Sequence, residues 1–312
     1  MTGALWAVLA GLGFGLFQTL NRRAVDGMDL YLATFIQLLV STVVLGFVSL
    51  LTVDMSLLFT APISALLNFS AAGFFHFFIG WTFLNASQKR IGAARTSPLI
   101  GTTPLFAAVI AVVTLQEFPS LLALFGIGLI VAGAFIISNG AENPVKAGGA
   151  APMESTRSLG TTPQGGTGWA AAWTGLSAAF CWALSPIFIR AGLKDLPSPV
   201  LGVTVGVTAS ALGYGLVLLF QRKRWAGIPI GREALGFKLI AGLLVGLSTW
   251  ARWVALGLAP VAVVLAITMV SVPMVIWLSP LVSGRHLERV TAALWAGAGL
   301  IVGGALLLTF IT

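Results

Sequence analysis

The chain has 312 residues, of which 58% are hydrophobic and only 8% charged, and its formal net charge is +8. A soluble domain carries about 25% charged residues, so the composition excludes a water-soluble globular protein and makes the bilayer the solvent. The single cysteine, Cys181, excludes an internal disulfide and a thiolate metal cluster.

The apolar segments are continuous runs rather than alternating strands, and lipid offers no partner for open backbone groups, so they read as helices. Ten spans follow in order, at about 3–20, 30–51, 62–86, 91–115, 119–138, 169–190, 198–220, 235–257, 260–282 and 289–311. The N-terminus lacks a basic n-region, and the first run leads into Asn21-Arg22-Arg23 rather than a small-residue cleavage site, so span one reads as retained. Polar clusters separate the spans, among them Asp26-Gly27-Met28-Asp29, Gln88-Lys89-Arg90, Lys194-Asp195-Leu196-Pro197 and Ala259-Pro260. Residues 139–168, rich in Gly, Pro, Ser and Thr, read as a flexible linker between residues 1–138 and 169–312.

Those two halves repeat each other. Gly126-x-Gly128-Leu129-Ile130-Val131-x-Gly133 matches Gly297-x-Gly299-Leu300-Ile301-Val302-x-Gly304 at a constant offset (297 − 126 = 171), which also relates Glu117 to Glu288. Trp6 pairs with Trp173 and Arg23 with Arg190 at 167, and Pro104 with Pro273 at 169 (273 − 104). Five spans per repeat is an odd number, so the halves must lie in opposite orientation, as the inverted repeats of secondary transporters do. The expected fold is all-α, ten transmembrane helices in two inverted five-helix repeats.

Basic residues fall mostly on one side. Arg22, Arg23, Lys89, Arg90, Arg95, Lys146, Arg157, Arg222, Lys223, Arg224, Arg232, Lys238, Arg285 and Arg289 lie in or beside the loops after odd-numbered spans, whereas the other side holds Arg190 and Lys194. Fourteen against two puts both termini outside and the linker in the cytoplasm. The basic balance is thus an orientation signal, and nucleic acid is not an expected partner.

The doubled five-span layout, Pro104 and Pro273, the two Glu-then-Gly-rich spans and Arg90-Ile91-Gly92-Ala93-Ala94-Arg95 together resemble the drug/metabolite transporter superfamily, specifically its ten-span EamA-type members. The resemblance covers the chain outside 139–168. It implies a multi-pass protein of a prokaryotic cell (inner) membrane that exports amino acids or other small metabolites. Such relatives are usually drawn with both termini in the cytoplasm, opposite to the charge count, although the superfamily includes members of either orientation.

Within the spans, no acidic residue is central: Asp26, Asp29, Asp54, Glu117, Glu142, Glu154, Asp195, Glu233 and Glu288 all fall in loops or at span ends. That argues against a carboxylate-driven proton antiporter and against lipophilic-cation capture by a buried carboxylate. Glu117 and Glu288 begin helices, where backbone N–H groups favour a carboxylate. Arg252, well inside span eight, reads either as a site for a carboxylate or phosphate group or as a side chain snorkelling to an interface or capping a helix. Ser248 shares its face, and Trp250 and Trp253 flank it, as pocket walls or as packing residues.

His76 lies on a stripe with Gly73 and Gly80 that faces the bundle; it is either a protonatable group or a hydrogen-bonded interhelical histidine. Trp81 and Asn85 lie further along and are candidates for the cavity mouth. Gln18 and Ser185 occupy matched positions of spans one and six (185 − 18 = 167), with Trp182 beside Ser185. Thr102-Thr103-Pro104 and Ser271-Val272-Pro273 place hydroxyls before prolines, as structural kinks or as hinges near the substrate. The substrate-binding candidates are therefore Arg252, His76, Gln18, Ser185, Trp182, Trp250, Ser248, Asn85, Thr103 and Ser271, with Pro104 and Pro273 as hinges.

No P-loop, H-E-x-x-H, G-x-S-x-G or Cys/His cluster occurs, so neither an enzyme, a metal nor a cofactor is expected, and transport would be secondary or facilitative. The expected partners are a small-molecule substrate and the lipid bilayer; a monomer is one possible state, and the sequence does not fix the oligomeric state. The expected mechanism is alternating access around a cavity between spans 1, 3, 4 and 6, 8, 9. Export of multiple lipophilic drugs and lipid flipping are the alternatives.

Overall fold

A computed structural model describes residues 2–115, 121–139, 168–220, 231–284 and 290–311. Glu117, Glu288 and linker residues 140–167 lie outside the described residues. All regular structure among the described residues is helical. In chain order it comprises α1 Thr2–Asp26, α2 Leu30–Thr52, the short α3 Leu57–Thr60, α4 Ile63–Gly73, a π-helical segment Phe74–Gly80, α5 Trp81–Ile91, α6 Ala93–Ile100 and α7 Thr103–Leu115. The chain continues with α8 Leu121–Asn139, α9 Gly168–Asp195, α10 Pro199–Phe220, α11 Arg232–Leu258, α12 Val261–Thr268, α13 Ser271–Val282 and α14 Ala292–Ile311.

Among the described residues, six continuous helical stretches are long and apolar enough to cross a membrane: Thr2–Asp26, Leu30–Thr52, Ile63–Ile91, Ala172–Asp195, Pro199–Phe220 and Arg232–Leu258. The third is α4, the π segment and α5 read as one rod. Large apolar side chains such as Phe47, Leu51, Leu212 and Trp277 are exposed on these and neighbouring helices, as a lipid-facing surface requires.

Local chemistry sets the helix ends. The Asp29 carboxylate accepts from the Tyr31 and Leu32 N–H groups at 2.8 and 3.2 Å, capping α2. Gly92 at φ 84° and Gly284 at φ 86° turn the chain out of α5 and α13 in a left-handed conformation that disfavours a side chain. Several helices run further than the apolar pattern predicts. Arg22 and Arg23 lie inside α1, Lys89 and Arg90 inside α5, and Lys194 and Asp195 inside α9, so these loop-flank charges ride on terminal helical turns.

Spans four and nine correct the expectation of a proline kink. Each is two helices, with the break at Gly101-Thr102 between α6 and α7 and at Met269-Val270 between α12 and α13. Pro104 and Pro273 then fall in the first turn of the second piece, where their missing N–H is not needed. Hydroxyls bond to carbonyls beside the breaks: Thr103 donates to Ile100 O, the carbonyl that Pro104 leaves without an N–H, at 2.6 Å, Thr102 to Leu99 O at 2.7 Å and Thr268 to Leu265 O at 2.8 Å.

Small residues bring the helices together, as expected where lipid supplies no hydrophobic drive between them. α1 runs antiparallel to α11, with Gly3 against Ala259, Gly13 against Ser248 and Gly27 against Ala234. Gly11 and Gly15 face Val270 and Met274, wedging α1 against the start of α13. Gly73 of α4 meets the Gly206 backbone of α10, and Gly192 and Gly202 receive the Phe69 ring. The largest buried cluster, containing Phe17, Phe69, Phe77, Trp81, Trp182 and Trp253, lies among α1, α2, α4, α5, α9, α10 and α11. α8 and α14 pack on each other beside it, with Ile137 and Ile301 in a second cluster.

Candidate substrate site

His76 sits in the π-helical segment, where the wider turn re-aims side chains; such segments are frequent at functional sites. It is buried, with Nδ1 3.0 Å from Ser185 Oγ of α9. Its ring stacks on Trp182 at 5.2 Å between centroids and 13° between planes. The Trp182 indole N–H donates to His76 O at 3.1 Å, and Gly80 leaves room for that indole. His76, Trp182 and Ser185 therefore form one unit across two helices. His76 is the hydrogen-bonded interhelical histidine.

Arg252 precedes Trp253, whose ring stacks on Phe77, the neighbour of His76, at 6.5 Å between centroids. Only 5% of Arg252 is exposed, and its Nε and Nη2 make no hydrogen bond within the chain. It lies six residues before the end of α11 (258 − 252 = 6) and caps nothing. The guanidinium is buried among the helices with its Nε and Nη2 donors unspent. Aromatic groups surround this level. Trp253 is fully buried against Phe69 and Phe77, at 5.7 and 6.5 Å between centroids, and Trp81 packs at a tilt of 58° against Phe77 at 4.9 Å. The indole N–H groups of Trp81 and Trp253 are also unpartnered, so this region offers four buried N–H-bearing nitrogens in all.

The other predicted residues separate by depth. Ser248 lies one turn from Arg252, against Gly13, and its hydroxyl turns back to Leu244 O at 2.6 Å. Trp250 is half-buried against Trp6 at 5.7 Å, toward the α11 C-terminal end. Gln18 is buried with its Oε1 unpartnered, but the antiparallel register of α1 and α11 places it about 14 Å from Arg252 along the axis. Thr103 and Ser271 are buried beside the breaks in spans four and nine.

Asn85 and Trp81 correct the expectation of a cavity mouth, since both are buried, Asn85 completely. Asn85 belongs to a polar network that sequence reasoning missed. Its Nδ2 donates to Thr34 Oγ1 at 2.9 Å, while its Oδ1 accepts from Asn21 Nδ2 at 2.7 Å. Asn21 Nδ2 also donates to Gln88 Oε1 at 2.7 Å. At the centre is Lys238, whose Nζ donates to Asn21 Oδ1 and to Gln37 Oε1, the latter at 2.6 Å. Lys238 is wholly buried, so it does not belong with the loop-flank charges that orient the chain, and the count becomes thirteen against two (14 − 1 = 13). The available signal was its position seven residues into α11, beyond an exposed Arg232, together with polar Gln37 and Asn85 in otherwise apolar spans.

Beyond this network the helix ends are tied together: Arg23 pairs with Glu233, donates to Val282 O at 2.8 Å and stacks over Phe237, and Lys89 donates to Met28 O at 2.7 Å. At the opposite end a cavity of about 440 Å³ is lined by Arg190, Leu193, Lys194 and residues 256–260. Leu256 places it one helical turn from Arg252.

Comparisons agree with this architecture. Residues 1–139 match the EamA-like transporter family. A crystal structure of a protein that is 16% identical superposes with a TM-score of 0.61, covering 100% of this chain and 99% of that one, and shows a shared fold. No curated protein matches the chain in sequence. The described residues form an all-helical, multi-pass membrane fold, and its first part, residues 1–139, matches a family that belongs to the drug/metabolite transporter superfamily.

Proposed function

We propose that the chain is a secondary transporter for small metabolites bearing an anionic group, such as amino acids, and that it works by alternating access. The observation that carries this reading is Arg252, a buried guanidinium with Nε and Nη2 unspent, one turn from a cavity lined by Arg190 and Lys194. A charge held at membrane depth is costly and is retained where a partner or passing ligand compensates it. A carboxylate or phosphate matches the guanidinium fork. The aromatic rings of Trp182, Trp253 and Phe77 would take the apolar part of the substrate.

The proposed frame is ten helices in two inverted repeats, 1–138 and 169–312, joined by the linker 139–168. Its support is reciprocal packing: α1 lies along α11, and α9, the mate of α1 in the repeat, lies along α4 and α5, the mates of α11. The breaks before Pro104 and Pro273 would serve as hinges, and α8 and α14 as a structural pair. The direction is export into the surroundings of a prokaryotic cell, with termini outside, on the resemblance and the charge count.

The test is a thermal-shift screen of the purified chain against small carboxylates including amino acids, sugar phosphates, nucleotide sugars and lipophilic cations, with Arg252→Ala run in parallel. A carboxylate or phosphate should stabilise the wild type, and Arg252→Ala should weaken its binding by roughly 10- to 150-fold, the worth of a hydrogen bond to a charged group. Stabilisation of both proteins by cations alone would overturn the anion reading in favour of lipophilic-drug export.

A further inference from the structure

We propose that the Lys238 network is a second anion-binding site, distinct from Arg252 and near the opposite end of α11. Both residues lie on one face of that helix: fourteen residues (252 − 238 = 14) return to nearly the same angle and place them about 21 Å apart. Asn21, Gln37 and Lys238 come from α1, α2 and α11, and Asn85 and Gln88 from α5, so four helices converge on one ammonium group.

The hydrogen bonds leave an excess of donors. Lys238 has three N–H bonds, and its contacts are Asn21 Oδ1 and Gln37 Oε1. Every amide oxygen of the network is already used: Asn21 Oδ1 by Lys238, Gln37 Oε1 by Lys238, Gln88 Oε1 by Asn21 and Asn85 Oδ1 by Asn21. The amide nitrogens of Gln37 and Gln88, both residues fully buried, have no partner. Among the described residues no carboxylate bonds to Lys238. A buried ammonium group among oriented neutral amides with unspent N–H groups lacks one thing, an acceptor with negative charge. A small anion supplies it. The same chemistry is met by the anionic group of a transported substrate in transit or by a resident inorganic anion such as chloride.

The full chain is titrated by melting temperature with sodium acetate and with sodium chloride, at ionic strength held constant with a bulky sulfonate. Three proteins are compared: wild type, Arg252→Ala, and Arg252→Ala with Gln37→Glu. The glutamate has the volume of glutamine and places a carboxylate on Lys238, filling the site from within. Arg252→Ala should keep a saturable stabilisation, and adding Gln37→Glu should abolish it, raising the half-saturating concentration at least tenfold. Saturation by acetate assigns the site to a substrate group, and saturation by chloride alone assigns it to an inorganic ion. Loss of all anion response in Arg252→Ala, or equal response with and without Gln37→Glu, overturns the inference. Because the readout is taken without Arg252, failure of the transport reading and failure of this site are separable.

Discussion

Gly133 of α8 rests against the carbonyl oxygen of Gly297 in α14, so closely that a methyl group on Gly133 would lie 2.5 Å from it. The contact has a reciprocal: a methyl group on Gly304 would lie 2.5 Å from the carbonyl oxygen of Gly126. The repeat offset exchanges the members of these pairs (133 + 171 = 304 and 126 + 171 = 297), which is the relation a two-fold axis between α8 and α14 would produce.

Gly133→Val and Gly304→Val should therefore destabilise by similar amounts, about 1–3 kcal/mol each, because backbone rather than a movable side chain is in the way. Gly128 and Gly299, also related by the offset, have open space around them, so Gly128→Ala and Gly299→Ala should leave stability unchanged or raise it by about 0.5–1 kcal/mol. Melting temperatures in detergent decide the matter. A large loss at Gly133 with none at Gly304 would count against the two-fold reading.

Gly80→Ala should act through Trp182. The added methyl would lie 2.5 Å from the indole nitrogen, which would have to give up its hydrogen bond to His76 O. Combining Gly80→Ala with Trp182→Phe should recover part of the lost stability in a double-mutant cycle. Additive losses would show that the two residues are not coupled.

Ser185→Ala removes the partner of His76 Nδ1. Interhelical hydrogen bonds in membranes are worth about 0.6–1.7 kcal/mol, and a melting temperature lowered accordingly is expected, with Ser185→Thr retaining most of it. If Ser185→Ala melts with the wild type, the contact contributes nothing to holding α9 on the π-helical segment.

Pro104→Ala and Pro273→Ala restore an N–H within reach of the Ile100 and Met269 carbonyls, favouring continuous helices in spans four and nine. Stability should hold or rise while the transport rate in proteoliposomes falls, if the breaks work as hinges. Undiminished transport by both variants would make them purely structural.

How far the sequence carries depends on what kind of fact is sought. The apolar runs of α1, α2 and α10 are legible because lipid demands them, and the glycines of α8 and α14 because close backbone approach demands them. Arg252 and His76 stood out because a charge or an imidazole in a long apolar run is exceptional. Lys238 did not, because seven residues from a helix start looks like an interface position; only the converging α1, α2 and α5 make it interior. The π-helical segment was equally hidden, since Phe74–Gly80 has the same composition as a plain α-helical span.

Composition, run length and repeat offset are one-dimensional quantities, and they were enough for an all-helical membrane chain with a doubled pattern and for the absence of central carboxylates. Depth and partnership are not written in one dimension. Whether Arg252 stays inside, whether Ser185 meets His76, and whether Asn21, Gln37 and Lys238 meet at all depend on how helices from distant parts of the chain cross. Only the tertiary structure decided these, because a buried polar group takes its cost and its use from neighbours that sequence separation does not reveal.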